Sequence, residues 1–404
     1  MANDYIDHWD LNGLEVQIHD YGRDKPNGVP ELDENAKLPV KYLSTLFADT
    51  LKVSPEDPYD MSLTDWTTML ASAEFRNAGK SWTQGTGNNT SYTHSNVRHA
   101  NGLWVADSTS HGCWWSEDGK HWIQGTGANT TYTMYEPFYA NGLWVAGSDS
   151  HGIWWSEDGK SWTKGTGISA TSRVATVHCA DGLWVAGSIG AGLWWSTDGK
   201  AWTQGTGFTT SYTFTDLDCA NGIWVAASAS HGCWWSTNGK AWTQGTGANT
   251  SHTVNSVYYA NGLWVSGTAN NGCWWSTNGK AWTQGTGNTT GNTKYFWYAN
   301  GLWVVGVNGA GCWWSTDGKA WTQGTGGIST LTPMHVYFAN GLWVADSGKG
   351  LWWSTDGKLW NQAGGANTTY TTYSIYYSSG MWVAGSYQHG IWWSGINVWL
   401  PTIE

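Results

Sequence analysis

The sequence predicts an all-β fold: an eight-bladed β-propeller of four-stranded repeats, with a small N-terminal module ahead of it. Three observations carry this expectation. The unit WWSTDGKAWTQGTG, or a close variant, recurs along the chain, with Trp pairs beginning at Trp114, Trp154, Trp194, Trp234, Trp274, Trp313, Trp352 and Trp392, spaced by 40 or 39 residues. A fixed period of this size marks a solenoid, a propeller or an array. Of the 36 Trp, all but Trp9, Trp66 and Trp297 stand at repeated positions. A single repeat has too little interior to bury four Trp, so neighbouring repeats must bury them against each other. Finally, each repeat breaks into short aromatic and β-branched stretches bounded by Gly, Asn, Asp or Ser, and none has helical periodicity over an adequate length.

Residues 125–164 illustrate the repeat. The expected strands are Tyr132–Tyr139, Leu143–Ala146, Ile153–Trp155 and Trp162–Thr163. Runs such as LWVAG and IWW place bulk at consecutive positions, so both faces of the sheet are covered, as in small sheets stacked around an axis. Between the first and second strands stands Asn141-Gly142, and between the third and fourth stands Asp158-Gly159. Both pairs suit type I′ hairpins, in which both central residues take positive φ. The other two connections are looser: a Ser-x-Ser-His-Gly loop between strands two and three, and a Gly-Thr-Gly-x-Asn-Thr stretch leading to the next repeat. Alternate connections of a meander lie on the same edge. The tight hairpins therefore share one face of the ring and the looser loops share the other.

Ring closure is also legible. Gly79–Gly87 is a complete fourth-strand consensus placed before the first full repeat, and Ser394–Trp399 after the last Trp pair lacks the Asp-Gly turn. The strand around Trp82 is expected to complete the last blade beside Ile391–Trp393. Mixing the chain ends in one blade removes two open edges.

Ser156-Glu157-Asp158-Gly159-Lys160-Ser161-Trp162 resembles the Asp-box of sialidases and other propellers, with one residue fewer between Asp and Gly. The resemblance spans about residues 79 to 395. It implies that Asp118, Asp158, Asp198, Asn238, Asn278, Asp317 and Asp356 build structural turns away from the ligand face.

Comparison between the copies separates constant from variable parts. The Trp slots and hairpins hardly change. The first strand with its approach varies, and so does the loop between strands two and three (STSHG, SDSHG, SIGAG, SASHG, TANNG, SGKG, SYQHG). Loops on a rigid scaffold are where recognition usually sits, although unrestrained loops also drift. Candidate ligand contacts are the loop-tip residues His111, His151, His231 and His389 with Tyr92, Tyr132, Tyr212 and Tyr370. Hydroxyls, Asn and aromatics there suit a sugar. Trp297 stands on the variable strand, at the surface or in the channel.

Other chemistries are disfavoured. The four His lack metal-ligand spacing, so no metal and no cofactor is expected. Cys113, Cys233, Cys273 and Cys312 share a slot with Ile153, Leu193, Leu351 and Ile391, while Cys179 and Cys219 share one with Tyr139, Tyr259 and Phe338. Cysteine here behaves as a small hydrophobe. Net charge is −11 with 12% charged residues, which argues against nucleic acid. No apolar run reaches the ~20 residues of a membrane helix. The N-terminus has no signal-peptide pattern. A sialidase needs an Arg cluster for its substrate carboxylate, and only Arg98 and Arg173 fall in the ring. The unrepeated acids are Asp107, Glu136, Asp149, Asp216, Asp218 and Asp346. Nothing in their spacing, the Asp216/Asp218 pair included, sets them apart from chance. The chain is therefore not expected to be an enzyme.

Residues 1–78 differ in composition. Asp20–Leu43, with Gly28-Val29-Pro30-Glu31-Leu32-Asp33 and Lys37-Leu38-Pro39, resembles a stalk segment of phage tail fibres. Tyr5–Ile18 resembles the hairpin that opens many phage appendage proteins, with Asn12-Gly13 as its turn. The expected organisation is a virion-attachment module over 1–60, a short helical linker over 61–78 that is a candidate for trimerisation, and the propeller over 79–404. Together these imply a virion protein made in the host cytoplasm: a tail fibre or receptor-binding protein, trimeric, contacting other virion proteins through 1–60 and a bacterial surface glycan through the loop face. A bacterial lectin, or a structural appendage such as a head fibre, are the alternatives.

Overall fold

The computed structural model describes residues 8–11, 14–17 and 78–395, apart from 88, 89, 128, 170, 366 and 367. The virion-attachment and linker assignments lie outside the described residues, except for one hairpin. There His8–Leu11 pairs antiparallel with Leu14–Gln17, with Leu11 opposite Leu14, and the expected Asn12-Gly13 turn lies outside the described residues.

Eight small sheets form an eight-bladed propeller. Four strands, here A to D from the axis outward, run antiparallel in sequence order. In blade 2 they are Met134–Ala140, Leu143–Ser148, Ile153–Ser156 and Ser161–Lys164. Strand A begins two residues later than expected, because Tyr132 and Thr133 are spent on the preceding loops: their carbonyls accept the N–H of Gly112 and Asp149. The A strands of neighbouring blades pack together around the axis. Between blades the core is apolar. Leu143, Val145 and Ile153 of blade 2 meet Val174, Val177, Trp184, Ala186 and Trp202 of blade 3.

The hairpins divide into two kinds. At the A–B turn both residues have positive φ, as at Asn141 (51°) and Gly142 (76°), in agreement with the type I′ expectation. At the C–D turn only the glycine does, as at Gly159 (69°), so the type I′ assignment fails there. Asp158 acts instead as an acceptor: its Oδ1 takes hydrogen bonds from Ser156 Oγ (2.8 Å), Lys160 N (2.8 Å) and Ser161 N (2.7 Å). Asn238 and Asn278 hold the same three bonds through their amide oxygens.

Ring closure is as expected. Ser81–Gln84 is the D strand of blade 8, with Thr83 opposite Trp393 and Gln84 opposite Trp392. Trp82 is buried with Leu342, Trp382 and Trp392 of the last two blades.

Two further devices join the blades. The first is a backbone belt at the rim. Past each D strand, the Gly-Thr-Gly segment (Ala363-Gly364-Gly365 in blade 7) lies parallel to the D strand of the following blade, as Thr126 beside Ser161 and Gly127 beside Trp162. The amide N–H of Thr86, Thr126, Thr166, Thr206, Thr246, Thr286, Thr325 and Gly364 each donates to a lysine carbonyl of the next blade at 2.7 to 2.9 Å. Gly127 has φ 118°, and a Cβ there would collide with the carbonyl oxygen of Trp162. That explains the invariant glycine.

The second device uses those same lysines. Lys160 Nζ lies 4.1 Å from the centroid of Trp115 on the preceding blade, and Lys120, Lys200, Lys240, Lys280, Lys319 and Lys358 repeat the arrangement at 4.1 to 4.5 Å. Lys80 over Trp353, at 5.1 Å, closes the circle. The Trp residues are thus not uniformly core. Those of strands B and D are buried in every blade, whereas the second of each pair is half-buried beneath its lysine. A cation on a tryptophan face is worth ~0.5–1 kcal/mol at exposed sites.

Cys113, Cys233, Cys273 and Cys312 are buried, as expected of a hydrophobic slot; Cys179 and Cys219 are half-buried, and all six are free thiols.

Candidate functional site

The predicted loop-tip residues come together in pairs. Tyr92 stacks on His111, Tyr132 on His151, Tyr212 on His231 and Tyr370 on His389, each with ring centroids 3.6 Å apart. Each tyrosine also packs on the first Trp of the pair in its blade, as Tyr132 does on Trp154 at 5.8 Å. Three imidazoles direct Nδ1 to a loop carbonyl: His111 to Thr109, His151 to Asp149 and His389 to Tyr387, at 2.7 to 2.8 Å. A carbonyl can only accept, so in these three Nδ1 carries the proton. Tyr132 also links blades, since its carbonyl accepts from Gly112 of blade 1 while its ring lies on His151 of blade 2. The four pairs decorate blades 8, 1, 2 and 4. One face of every tyrosine ring is thereby taken up within the protein.

A cavity of about 540 Å³ lies at the axis and is lined from all eight blades, among others by Asn96, Tyr135, Glu136, Arg173, Lys294, Tyr295 and His335. These residues stand at the beginnings of the A strands, so the cavity opens on the face of the looser loops. In six blades the A strand carries a register shift at this level, as between Tyr135 and Phe138 or Phe214 and Asp216. Bulges re-aim side chains next to sites.

The sequence pattern set aside the unrepeated acids, yet the structure gathers most of them here. Asp216 and Asp218 bridge blades 4 and 5: their carboxylates accept the N–H of Val257 (3.0 Å) and Tyr259 (2.7 Å) while also capping Leu217 and Cys219. Asp107 and Asp346 replace the small residue of strand B in blades 1 and 7. Asp107 Oδ1 accepts from Ser95 N and Asn96 N, and Asp346 Oδ1 from Met334 N and His335 N, at 2.7 to 2.8 Å. Carboxylates there do the work of the ladder bonds that the shortened A strands lack. Burial pushes Asp107 and Asp218 up to about 6 and Asp216 well above the carboxylate range, against the pull of these donors.

Glu136 is different. It has φ 42°, and among the described residues it is the non-glycine residue with positive φ inside a strand rather than a turn or loop. Such strain is held where the surroundings over-determine it, commonly at binding or catalytic sites. Burial raises its pKa, opposed by Arg98 and by a hydrogen bond with Thr176.

One layer deeper, the A strands supply a collar: Arg98, Phe138, His178, Asp218, Tyr258, Trp297, Tyr337 and Tyr376. Phe138 packs on His178 at 5.0 Å, Trp297 on Tyr337 at 4.1 Å and Tyr337 on Tyr376 at 5.5 Å, with Arg98 over Tyr376 at 5.5 Å. Trp297 therefore belongs to the channel wall. Burial, and secondarily Arg98, lowers His178 to about 4, so it is neutral beside Asp218 at pH 7.

No family model matches the sequence, and no curated protein matches it. Solved structures share the fold. A computationally designed protein, Ika8, aligns with TM-score 0.61 and 11% identity over 79% of this chain and 100% of its own. Sqt1 of Saccharomyces cerevisiae aligns with TM-score 0.59 and 11% identity over 79% and 98%. YCF48 of Cyanidioschyzon merolae aligns with TM-score 0.51 and 12% identity over 78% and 98%. At these identities the likeness establishes the fold alone, a propeller compatible with a binding role.

Proposed function

We propose that the chain is a non-catalytic receptor-binding protein of a phage tail fibre or similar virion appendage, holding a bacterial surface glycan on the face of the looser loops. The observation that carries this reading is the distribution of variation. Eight blades share their Trp slots, lysine stitches and hairpins almost residue for residue, whereas the axial wall and the rim loops differ from blade to blade. A scaffold that repeats while one face diverges is the arrangement expected of a recognition surface.

The disposition of acids supports a binding role over hydrolysis. Glycoside hydrolysis ordinarily needs two working carboxyls. Asp107, Asp216, Asp218 and Asp346 are occupied by backbone N–H donors and Asp149 faces Arg173 at 3.8 Å, which leaves Glu136 as the one acid among the residues that line the cavity. The resemblance of residues 20–43 to tail-fibre stalks supports the virion assignment. A trimer would multiply weak sites into avid attachment.

The test is binding of labelled full-length protein to a panel of bacterial cells and to their purified envelope polysaccharides. Saturable binding to a strain, competed by that strain's polysaccharide, is expected. Absence of binding to every cell and polysaccharide defeats the reading, and release of oligosaccharides from a bound polysaccharide defeats its non-catalytic part.

A further inference from the structure

The axial cavity contains a cation that the fold does not match. Arg173 lies 3.8 Å from Asp149 and 4.7 Å from the Tyr135 ring, and Arg98 rests on Tyr376. The belt lysines lie over tryptophans. Lys294 lines the cavity, is half-buried, and forms no ion pair or cation–π contact among the described residues. Other blades place Ser95, Tyr135, Ala175, Thr215, Asn255, Met334 and Tyr373 at this slot. A lysine here is therefore a departure from the repeat. A partly desolvated ammonium without a counter-charge is costly, and burial accordingly lowers its pKa.

Its surroundings suit a sugar. Tyr295, stacked on His335 at 4.4 Å, stands next to it, and Tyr373 and the strained Glu136 line the same cavity. Much of the remaining polar wall is committed internally. Asn255 Nδ2 donates to Asn292 and Thr293, Asn96 Nδ2 to Asp107, and Thr215 Oγ1 to Val254. Arg173 keeps Asp149 beside it at 3.8 Å, so Lys294 is the cavity cation with no ion-pair partner among the described residues to compete with an incoming anion.

On the premise that the chain binds a glycan, we propose that the axial cavity takes an anionic saccharide unit, bearing a carboxylate or a phosphate, with that group seated on the Lys294 ammonium. The rim loops then hold the neighbouring sugars. A charge-assisted hydrogen bond in a half-buried site distinguishes an anionic unit from a neutral one by roughly tenfold to a hundredfold.

The experiment titrates full-length protein with three probes: oligogalacturonate, poly(glycerol phosphate) and neutral oligogalactose. It is repeated with Lys294→Met and Lys294→Arg. The expected result is binding of one anionic probe at least about tenfold tighter than the neutral one, loss of that preference in Lys294→Met, and its retention in Lys294→Arg. The probe that binds distinguishes carboxylate from phosphate. Unchanged thermal melting of both variants shows the ring intact. Equal binding of anionic and neutral probes, or an anionic preference that survives Lys294→Met, overturns the proposal and leaves the glycan-binding reading standing. Binding to no glycan overturns both.

Discussion

The Lys160 ammonium sits over the Trp115 ring of the preceding blade while the Lys160 carbonyl accepts the N–H of Thr126 from that same blade. One residue thus ties two blades through both its side chain and its backbone. The backbone bond is independent of residue type, and only the side-chain bond is open to substitution.

Lys160→Met is therefore expected to lower stability by about 0.5–1 kcal/mol, with little added by the loss of the exposed Glu117 pair at 2.8 Å. A double-mutant cycle with Trp115→Leu, read by denaturant unfolding, should show coupling of that size. Strict additivity would remove the cation–π account.

Asp158→Ala and Asp158→Asn should part company. Alanine strands three donors and should cost about 1–3 kcal/mol. Asparagine should cost far less, since Asn238 and Asn278 already hold the equivalent bonds. Binding by the folded fraction should be unchanged in both, because the C–D turn lies on the face opposite the cavity. Equal destabilisation by Ala and Asn would show that the charge, not the acceptor geometry, matters.

Stability should pass through a maximum in mild acid. At Asp158 burial raises the pKa, but the bonds from Ser161, Lys160 and Ser156 outweigh it, and the carboxyl ends below its ordinary value. Asp118, Asp317 and Asp356 behave alike. Their contribution is present above the unfolded value near ~4 and is lost as pH falls through the lower folded value. Asp107 and Asp218, raised to about 6, act in the opposite sense: the folded state is favoured while they hold protons and loses ground as pH climbs from ~4 to about 6. Melting temperature against pH should therefore peak near pH ~4 and fall from there towards about 6. A steady rise from pH 4 to 7 would contradict the assignment for the two axial acids.

Trp82→Ala should cost about 3–5 kcal/mol, as for the equivalent Trp162→Ala within a continuous blade. Removing the strand entirely is more severe. A chain beginning at residue 90 leaves blade 8 without Ser81–Gln84 and should aggregate, whereas one beginning at 78 should remain a folded ring. Equal solubility of the two, by gel filtration, would show that closure does not depend on the seam strand.

What was legible in the sequence was whatever repeats. Asn141-Gly142 declares its turn because its φ requirement is local, and the lone fourth strand at Trp82 stands out because it has no blade of its own. The Lys–Trp stitch also repeats, but its partners come from different blades and from stretches that read separately as a turn and a strand. The axial cavity was harder still. Asn96, Glu136, Asp216, Tyr295 and His335 share one slot, one residue per blade, about forty positions apart. No short-range spacing connects them, and only closure of the ring makes them neighbours. Asp107 and Asp346 looked like stray acids because the backbone donors they serve lie eleven or twelve residues earlier.

The closure strand also sets how the ring carries load. Tension transmitted along the chain from any segment before residue 78 enters the propeller at Ser81–Gln84. This strand is clamped on one side by Trp392 and Trp393 and on the other by Gly364 and Gly365. A pull therefore meets a strand paired on both sides rather than a free edge, and the force spreads at once into blades 7 and 8. A tether attached there strains two blades together before either can open.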